Sequence, residues 1–528
     1  MDVYSRTALR FAIIAAFGGF IFGLDAALIS GTIKYITQQF SLSDIQLGTV
    51  VSAPGFGVIF ALLATGPLCN RLGRKKTLLI ISLIYLASAI ASMLAPNYEF
   101  LVFARFLGGL AFTSLSLSSM YIGEIAPPQM RGKLVAMNQI VIVVGLSSAY
   151  FSNYFLVNLI EPSSSLASNI WRLMLGVEVL PAALWFLLIL TLPESPRWLI
   201  SQRRIDEAKR VMAKLMPIDN IQPTLTDILS SAPAMQNLNE NFHQQFRSLF
   251  DSKVRTALIV GIVFAIVQPV TGINAILFYA PMVFEQTGIG TNAAFLQTLT
   301  IGLVSIVFTF LAILLIDKVG RRPLVIIGLS SSAAFLFLCF WSFDNATYRL
   351  SLREADSLLS SPVFANYSFD HLIDMTFHSD IEFKAAMNNV LGDELARNYE
   401  SEFIKTAVSM NVNAVMFGIL GFIGSFHFSV GPIMWVVFSE IVPTRIRGIA
   451  IPFFALISSI LSFCIQQFFP WQLNNLGAAN IFLFYCIAAL IGLFLLFIFL
   501  PETKNKSIEE IEVMLASHDK LKTPRTLS

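Results

Sequence analysis

Asp25 is an acidic side chain set deep inside a run of membrane-spanning length. It stands in Gly18-Gly19-Phe20-Ile21-Phe22-Gly23-Leu24-Asp25-Ala26-Ala27-Leu28-Ile29-Ser30-Gly31, with Ser30 as the nearest polar side chain. A carboxylate near the middle of a bilayer costs about 2.5–3.5 kcal/mol on insertion scales, so Asp25 marks a functional site by default. The glycines around it let another helix approach closely. A second set of reactive charges lies at the ends of apolar runs. Arg71-Leu72-Gly73-Arg74-Lys75 is echoed by Lys318-Val319-Gly320-Arg321-Arg322. The string from Glu124 to Arg131-Gly132 returns from Glu440 to Arg447-Gly448, and Pro193-Glu194-Ser195-Pro196-Arg197 returns as Pro501-Glu502-Thr503-Lys504. Such charges can cluster to lock two bodies together in one state and release them in another. The plainer reading is that Lys and Arg anchor helix ends.

The elements that must carry these groups are membrane spans. Hydrophobic residues make up 55%, mean hydropathy is +0.71 and only 13% of residues are charged. Soluble domains carry about 25% charged residues. The 47 Phe suit lipid-facing surfaces. Cys69, Cys339, Cys464 and Cys486 show no CxxC spacing, so neither a disulfide framework nor a metal site is expected. Apolar runs long enough for about 30 Å of hydrocarbon fall at about 9–31, 46–68, 77–95, 100–122, 135–157 and 171–192. Six more follow at about 256–284, 293–316, 323–343, 409–438, 448–470 and 477–500. The first reads as an uncleaved span rather than a signal peptide.

The fold predicted is therefore all-α, with twelve transmembrane helices in two six-helix lobes. Residues 1–192 form the N-terminal lobe, 193–255 a cytoplasmic linker with short helices, 256–500 the C-terminal lobe and 501–528 a cytoplasmic tail. Lys and Arg concentrate in alternate connections, which places both termini in the cytoplasm by the positive-inside rule. The repeats recur in one order at equivalent spans, as in parallel six-span repeats with a substrate site between lobes at mid-membrane. Arg74 to Glu124 is 50 positions but Arg321 to Glu440 is 119, so about seventy extra residues lie in the second half. Hydropathy puts them at about 344–408, as a small helical cap outside the membrane.

Taken together, these motifs make the chain resemble the sugar porter family of the major facilitator superfamily. Pro193-Glu-Ser-Pro-Arg-Trp-Leu199, Asp317-x-x-Gly-Arg-Arg-Pro323 and Gly272-Ile273-Asn274-Ala275-Ile276-Leu277-Phe278-Tyr279 carry the likeness over almost the whole chain. The resemblance implies secondary active transport of a sugar or polyol by alternating access, with no cofactor, no metal and no catalytic residue. Sugars are neutral and dense in hydroxyls, so amides and aromatic faces suit them better than ions. By resemblance the substrate residues are Gln139, Gln268, Asn274 and Trp435, with Ser305 and Ser458 standing where relatives carry larger polar groups. A buried amide can equally be interhelical glue. Pro269 replaces a second glutamine and should bend span seven. Phe278 and Tyr279 resemble gate aromatics on the extracellular side, with packing as the competing role.

The resemblance also pairs Asp25 with Arg105 for proton coupling, against a permanent structural pair in a uniporter. His427 has no expected counterpart and reads as structural. Arg71, Arg74, Glu124, Arg131, Glu194, Arg197, Arg321, Arg322, Glu440, Arg447 and Glu502 form the implied cytoplasmic charge network. The chain should be a monomeric, multi-pass protein of a plasma or bacterial inner membrane. Its partners are a sugar or polyol, protons and lipid, not nucleic acid. No nucleophile–base set, HExxH or phosphate-binding loop supports an enzyme. A sugar sensor of transporter-like fold would carry a longer tail.

Overall fold

The computed structural model describes residues 3–127, 130–160, 167–236, 249–251, 254–359, 362–364, 367–369, 372–443, 446–506, 510–511 and 514–515. Apolar helices dominate these segments because a chain in hydrocarbon must satisfy its backbone polar groups internally. Spans one to three are α1 (Val3–Phe40), α2 (Asp44–Leu72) and α3 (Arg74–Met93). Span four is broken into α4 (Tyr98–Ala111) and α5 (Ser114–Ile125), span five is α6 (Arg131–Leu159), and span six is α7 (Ile170–Gly176) with α8 (Val179–Leu190). The linker forms α9 (Pro196–Ser201), α10 (Ile205–Leu215) and α11 (Ile218–Gln236).

Span seven is three pieces, α12 (Arg255–Val270), α13 (Ile273–Phe278) and α14 (Ala280–Glu285). Pro269 ends the first piece, and Gly272, at φ +83°, turns the chain into the second. Spans eight and nine are α15 (Thr291–Val319) and α16 (Arg321–Asp344). After the insertion come α20 (Val412–Phe428) and α21 (Val430–Ile441), which form span ten. The last helix, α22 (Arg447–Phe499), is 53 residues long and breaks at Gly477, where φ is +79°, so it supplies spans eleven and twelve.

Within the N-terminal six, α1 lies against α6 at a distance only glycine permits. A Cβ on Gly23 would enter the carbonyl of Ile142, and one on Gly145 would enter the carbonyl of Phe20. This reciprocal contact fixes the rotation of α1 and thereby the direction in which Asp25 points.

The segment read as a helical cap contains a sheet as well. It runs β1 (Thr347–Arg349), α17 (Leu352–Leu359), β2 (Thr376–Phe377), α18 (Asp380–Leu391), α19 (Asp393–Ala407) and β3 (Val408–Ser409). The antiparallel order is β2-β1-β3, with Thr347 opposite Ser409. The first and last strands thus clasp the two ends of the insertion together. Tyr348, Phe364, Phe369, Phe383 and Phe403 give it a core of its own. Strands of two or three residues leave no alternation to read in a sequence.

Candidate functional site

Asp25 on α1 and Arg105 on α4 form an ion pair, and each residue is only 2% exposed. Gly108, one turn beyond Arg105, keeps the space open: a Cβ there would lie 2.8 Å from Ser88 Oγ and 3.8 Å from Asp25 Oδ2. Glu178, buried at the break between α7 and α8, interacts electrostatically with both Asp25 and Arg105. Among the described residues, Asp25 Oδ2 and Arg105 Nε have no hydrogen-bond partner. The pair is therefore held along one edge only, inside a pocket of two carboxylates and one guanidinium. The sequence reading missed Glu178, although an acid inside the sixth apolar run carries the same signal as Asp25.

The amides of span seven face span eleven. Ser458 Oγ donates to Gln268 Oε1 at 3.0 Å, and Asn274 Nδ2 donates to Ser462 Oγ at 2.6 Å. Gln466 Nε2 donates to the same Ser462 oxygen at 2.7 Å. Ser458, Ser462 and Gln466 are spaced by four residues, so they form one polar stripe along α22. Sequence reasoning found the first of these and not the other two. Gln139 on α6 is half-buried and has no partner among the described residues. Trp435 on α21 is 46% exposed, with its ring edge-on to Phe438. Ser305 is fully buried and donates back to Ile301 of its own helix at 2.8 Å. His427 meets Thr309 through Nδ1 at 3.3 Å and leaves Nε2 without a partner among the described residues.

The two groups of six meet at the insertion end of the bundle. Ser52 donates to Gln467 at 2.8 Å, and Gln467 Nε2 donates to Thr49 Oγ1 and the Ile45 carbonyl, both at 3.0 Å. Tyr150 donates to the Leu277 carbonyl at 2.6 Å and Lys34 to Thr291 at 2.9 Å. Tyr279 sits inside the second group, donating to the Gln466 carbonyl at 2.8 Å with its ring 4.9 Å from Phe469. Phe278 beside it is half-buried.

At the other end the charges close within each group. Arg74 pairs with Glu124 at 2.9 Å, and Arg321 pairs with Glu440 at 2.9 Å. Glu194 caps α3, accepting from the Arg74 backbone N–H at 2.8 Å; Glu502 caps α16, accepting from Arg321 N–H at 3.1 Å. A carboxylate on a helix N-terminus satisfies orphan N–H groups and opposes the helix dipole. Arg322 reaches the Phe497 carbonyl at 2.9 Å and Arg447 the Val442 carbonyl at 3.1 Å. Arg71 and Arg197 are exposed. The side chain of Arg131 lies outside the described residues, as does most of the tail beyond 506. Among the described residues the ion pairs at this end each stay within one group, whereas the side-chain hydrogen bonds between the two groups lie toward the insertion end.

The family model described as "Sugar (and other) transporter" matches residues 11–356 and 383–515, its gap falling within the insertion. The arabinose-proton symporter of Bacillus subtilis (strain 168) is 31% identical over 502 residues, 94% of this chain and 93% of that protein. The galactose-proton symporter of Escherichia coli (strain K12) is 30% identical over 98% of this chain and 97% of its own length. The E. coli xylose transporter in a partially occluded inward-open conformation superposes with a TM-score of 0.72 at 26% identity, covering 95% of this chain and 100% of that one. The same proton:xylose symporter bound to 6-bromo-6-deoxy-D-glucose gives 0.71, covering 97% and 99%.

Proposed function

The chain belongs to the sugar (and other) transporter family, and from that membership we propose that Asp25, Arg105 and Glu178 couple proton entry to sugar movement. The protein is a multi-pass membrane transporter of the major facilitator fold, not an enzyme, and its reaction is proton-coupled sugar transport. The basic end of the bundle faces the cytoplasm and the insertion faces out. The structure is then an outside-closed state, since the contacts between lobes lie at the insertion end.

One observation carries the coupling: a sealed pocket holding two carboxylates against one guanidinium. Burying an uncompensated charge is expensive, so the pocket is balanced only when it holds one proton. With the proton on Asp25, the ion pair with Arg105 becomes a weaker hydrogen bond from the guanidinium to a neutral carboxylic acid, and α1 and α4 are free to shift. With the proton gone, the pair closes again. Arg105 stays charged throughout.

The sugar binds between lobes. Gln139 comes from one lobe; Gln268, Asn274 and the Ser458–Ser462–Gln466 stripe come from the other. Trp435 offers a ring face to the C–H side of a pyranose. Relatives are named for arabinose, galactose and xylose. The second lobe here sets the hydroxyls of Ser458 and Ser462 among the amides of Gln268, Asn274 and Gln466, which fits another hexose, a polyol such as an inositol, or a disaccharide. Ser305, with its proton committed to its own helix, offers a ligand only a lone pair. The chain works as a monomer in a plasma or bacterial inner membrane. Counterflow in proteoliposomes against a panel of sugars and polyols, with and without an imposed pH gradient, tests the reading. It expects exchange of at least one sugar and its accumulation toward the alkaline side. Absence of exchange for every polyhydroxylated compound would overturn it.

A further inference from the structure

Among the described residues, the insertion makes its hydrogen bonds and ion pairs to one lobe through several side chains and to the other through Arg397. On the C-terminal side, Asp380 accepts from the Ala478 backbone N–H at 3.1 Å, beside the break at Gly477. Lys384 pairs with Glu400 at 2.8 Å, and Gln286 at the end of span seven donates to Glu400 at 3.1 Å. Val408 of β3 packs where a Cβ on Gly288 would sit. With its own aromatic core and clasped ends, the insertion must move as part of the C-terminal lobe. Across the seam, Arg397 on α19 reaches the connection between spans one and two. Its Nη1 donates to the Leu42 carbonyl at 2.8 Å, and its Nη2 lies 3.6 Å from Asp44 Oδ1. A cavity of about 100 Å³ lies behind it, lined by Lys34, Thr37, Glu285, Gln286 and Ser401 from both lobes and the insertion.

We propose that Arg397 is a positioning residue for the transport cycle: α19 is a strap, carried by the C-terminal lobe, that engages the N-terminal lobe only when the outside is shut. The inference rests on the alternating-access reading above. Opening outward separates α2 from α22 and must break the Arg397 contacts, while the Lys384–Glu400–Gln286 anchors, all on one lobe, stay intact. The strap thus biases the lobe equilibrium toward the outside-closed state without touching the sugar site.

The test uses the full chain in proteoliposomes with a Thr37→Cys reporter and a membrane-impermeant maleimide outside; the chain without the reporter gives the background of the native cysteines. Removing a partly exposed pair with one charge-assisted hydrogen bond shifts a two-state equilibrium by about fivefold. Arg397→Ala should therefore raise the labelling rate by about that factor and lower the external KM for the sugar without raising kcat. Arg397→Lys, which keeps the charge and one donor, should restore most of the wild-type rate. An unchanged labelling rate in Arg397→Ala, with counterflow intact, overturns the strap. So does an equal rate increase in Arg397→Ala and Arg397→Lys accompanied by a lowered melting temperature, which is the mark of general loosening. Labelling needs no substrate, so a failure of sugar counterflow in the parent protein sinks the transport reading and leaves the strap result legible.

Discussion

Ser462 is one acceptor shared by two amide donors, and replacing it by Ala separates the roles of packing and recognition. Asn274 Nδ2 reaches its oxygen at 2.6 Å and Gln466 Nε2 at 2.7 Å. Gln466 is 4% exposed, so its freed N–H finds no water, and a buried donor without a partner costs about 1–3 kcal/mol. Asn274 is half-buried and can rehydrate, so its loss is orientation rather than desolvation. A net hydrogen bond is worth about 1 kcal/mol, so an Asn274 amide no longer aimed at the sugar should raise KM about fivefold. Asn274→Ala should raise KM by at least as much. If Ser462 acts through Asn274, the double variant should look like Asn274→Ala alone, with a coupling of about 0.5–1.5 kcal/mol in the mutant cycle. Initial rates and counterflow in proteoliposomes give KM and kcat for all four proteins, and kcat should be nearly constant. Additive effects, within about 0.3 kcal/mol, would refute the argument that the serine positions the amide.

Other consequences follow from packing and charge. Gly23→Val should destabilise the fold by about 1–3 kcal/mol through overpacking against the Ile142 carbonyl, while Gly66→Ala, with open space around it, should be mild in the same thermal-shift assay. Glu194→Gln and Glu502→Gln should each cost about 0.3–1 kcal/mol by weakening the charge at a helix N-terminus, with the difference shrinking in high salt. Burial alone would raise the Glu400 pKa, but Lys384, Gln286 and Arg397 together hold it below the ordinary carboxylate value. Its contribution is then fully present above the unfolded value of about 4.3 and disappears as pH falls through the lowered folded value. Limited proteolysis should find the insertion protected at pH 5 and cleaved faster only in stronger acid; Glu400→Gln should remove that acid dependence.

Much of this molecule is written plainly in its sequence. Asp25 announces itself as a charge among apolar residues, and the ordered repeats expose both six-span lobes and the extra residues between Arg321 and Glu440. Glu178 carries the same signal, an acid inside an apolar run, but no motif in the sequence links it to Asp25 or Arg105; only the fold brings the three together. Ser462 and Gln466 could not be singled out, since serines and glutamines at helical spacing are common; only the turn at Gly272, which aims Asn274 at span eleven, makes them partners. The caps formed by Glu194 and Glu502 look in sequence like members of a charge network, and only the folded chain sets them on the first N–H groups of α3 and α16. The sheet in the insertion is built from strands too short to show a period. Arg397 is one exposed arginine among many until the lobes are closed.

The proposed coupling puts the driving proton on Asp25. One proton per sugar and a one-unit pH gradient correspond to about 1.4 kcal/mol, or about tenfold accumulation at equilibrium. The direct measurement is sugar accumulation by Asp25→Asn in proteoliposomes under that gradient, alongside counterflow without it. Glu178 remains beside Arg105 as an alternative counter-charge, so the variant should fold and exchange sugar. Exchange should be retained with no accumulation above the outside concentration; tenfold accumulation by Asp25→Asn would show that Asp25 does not carry the coupling proton.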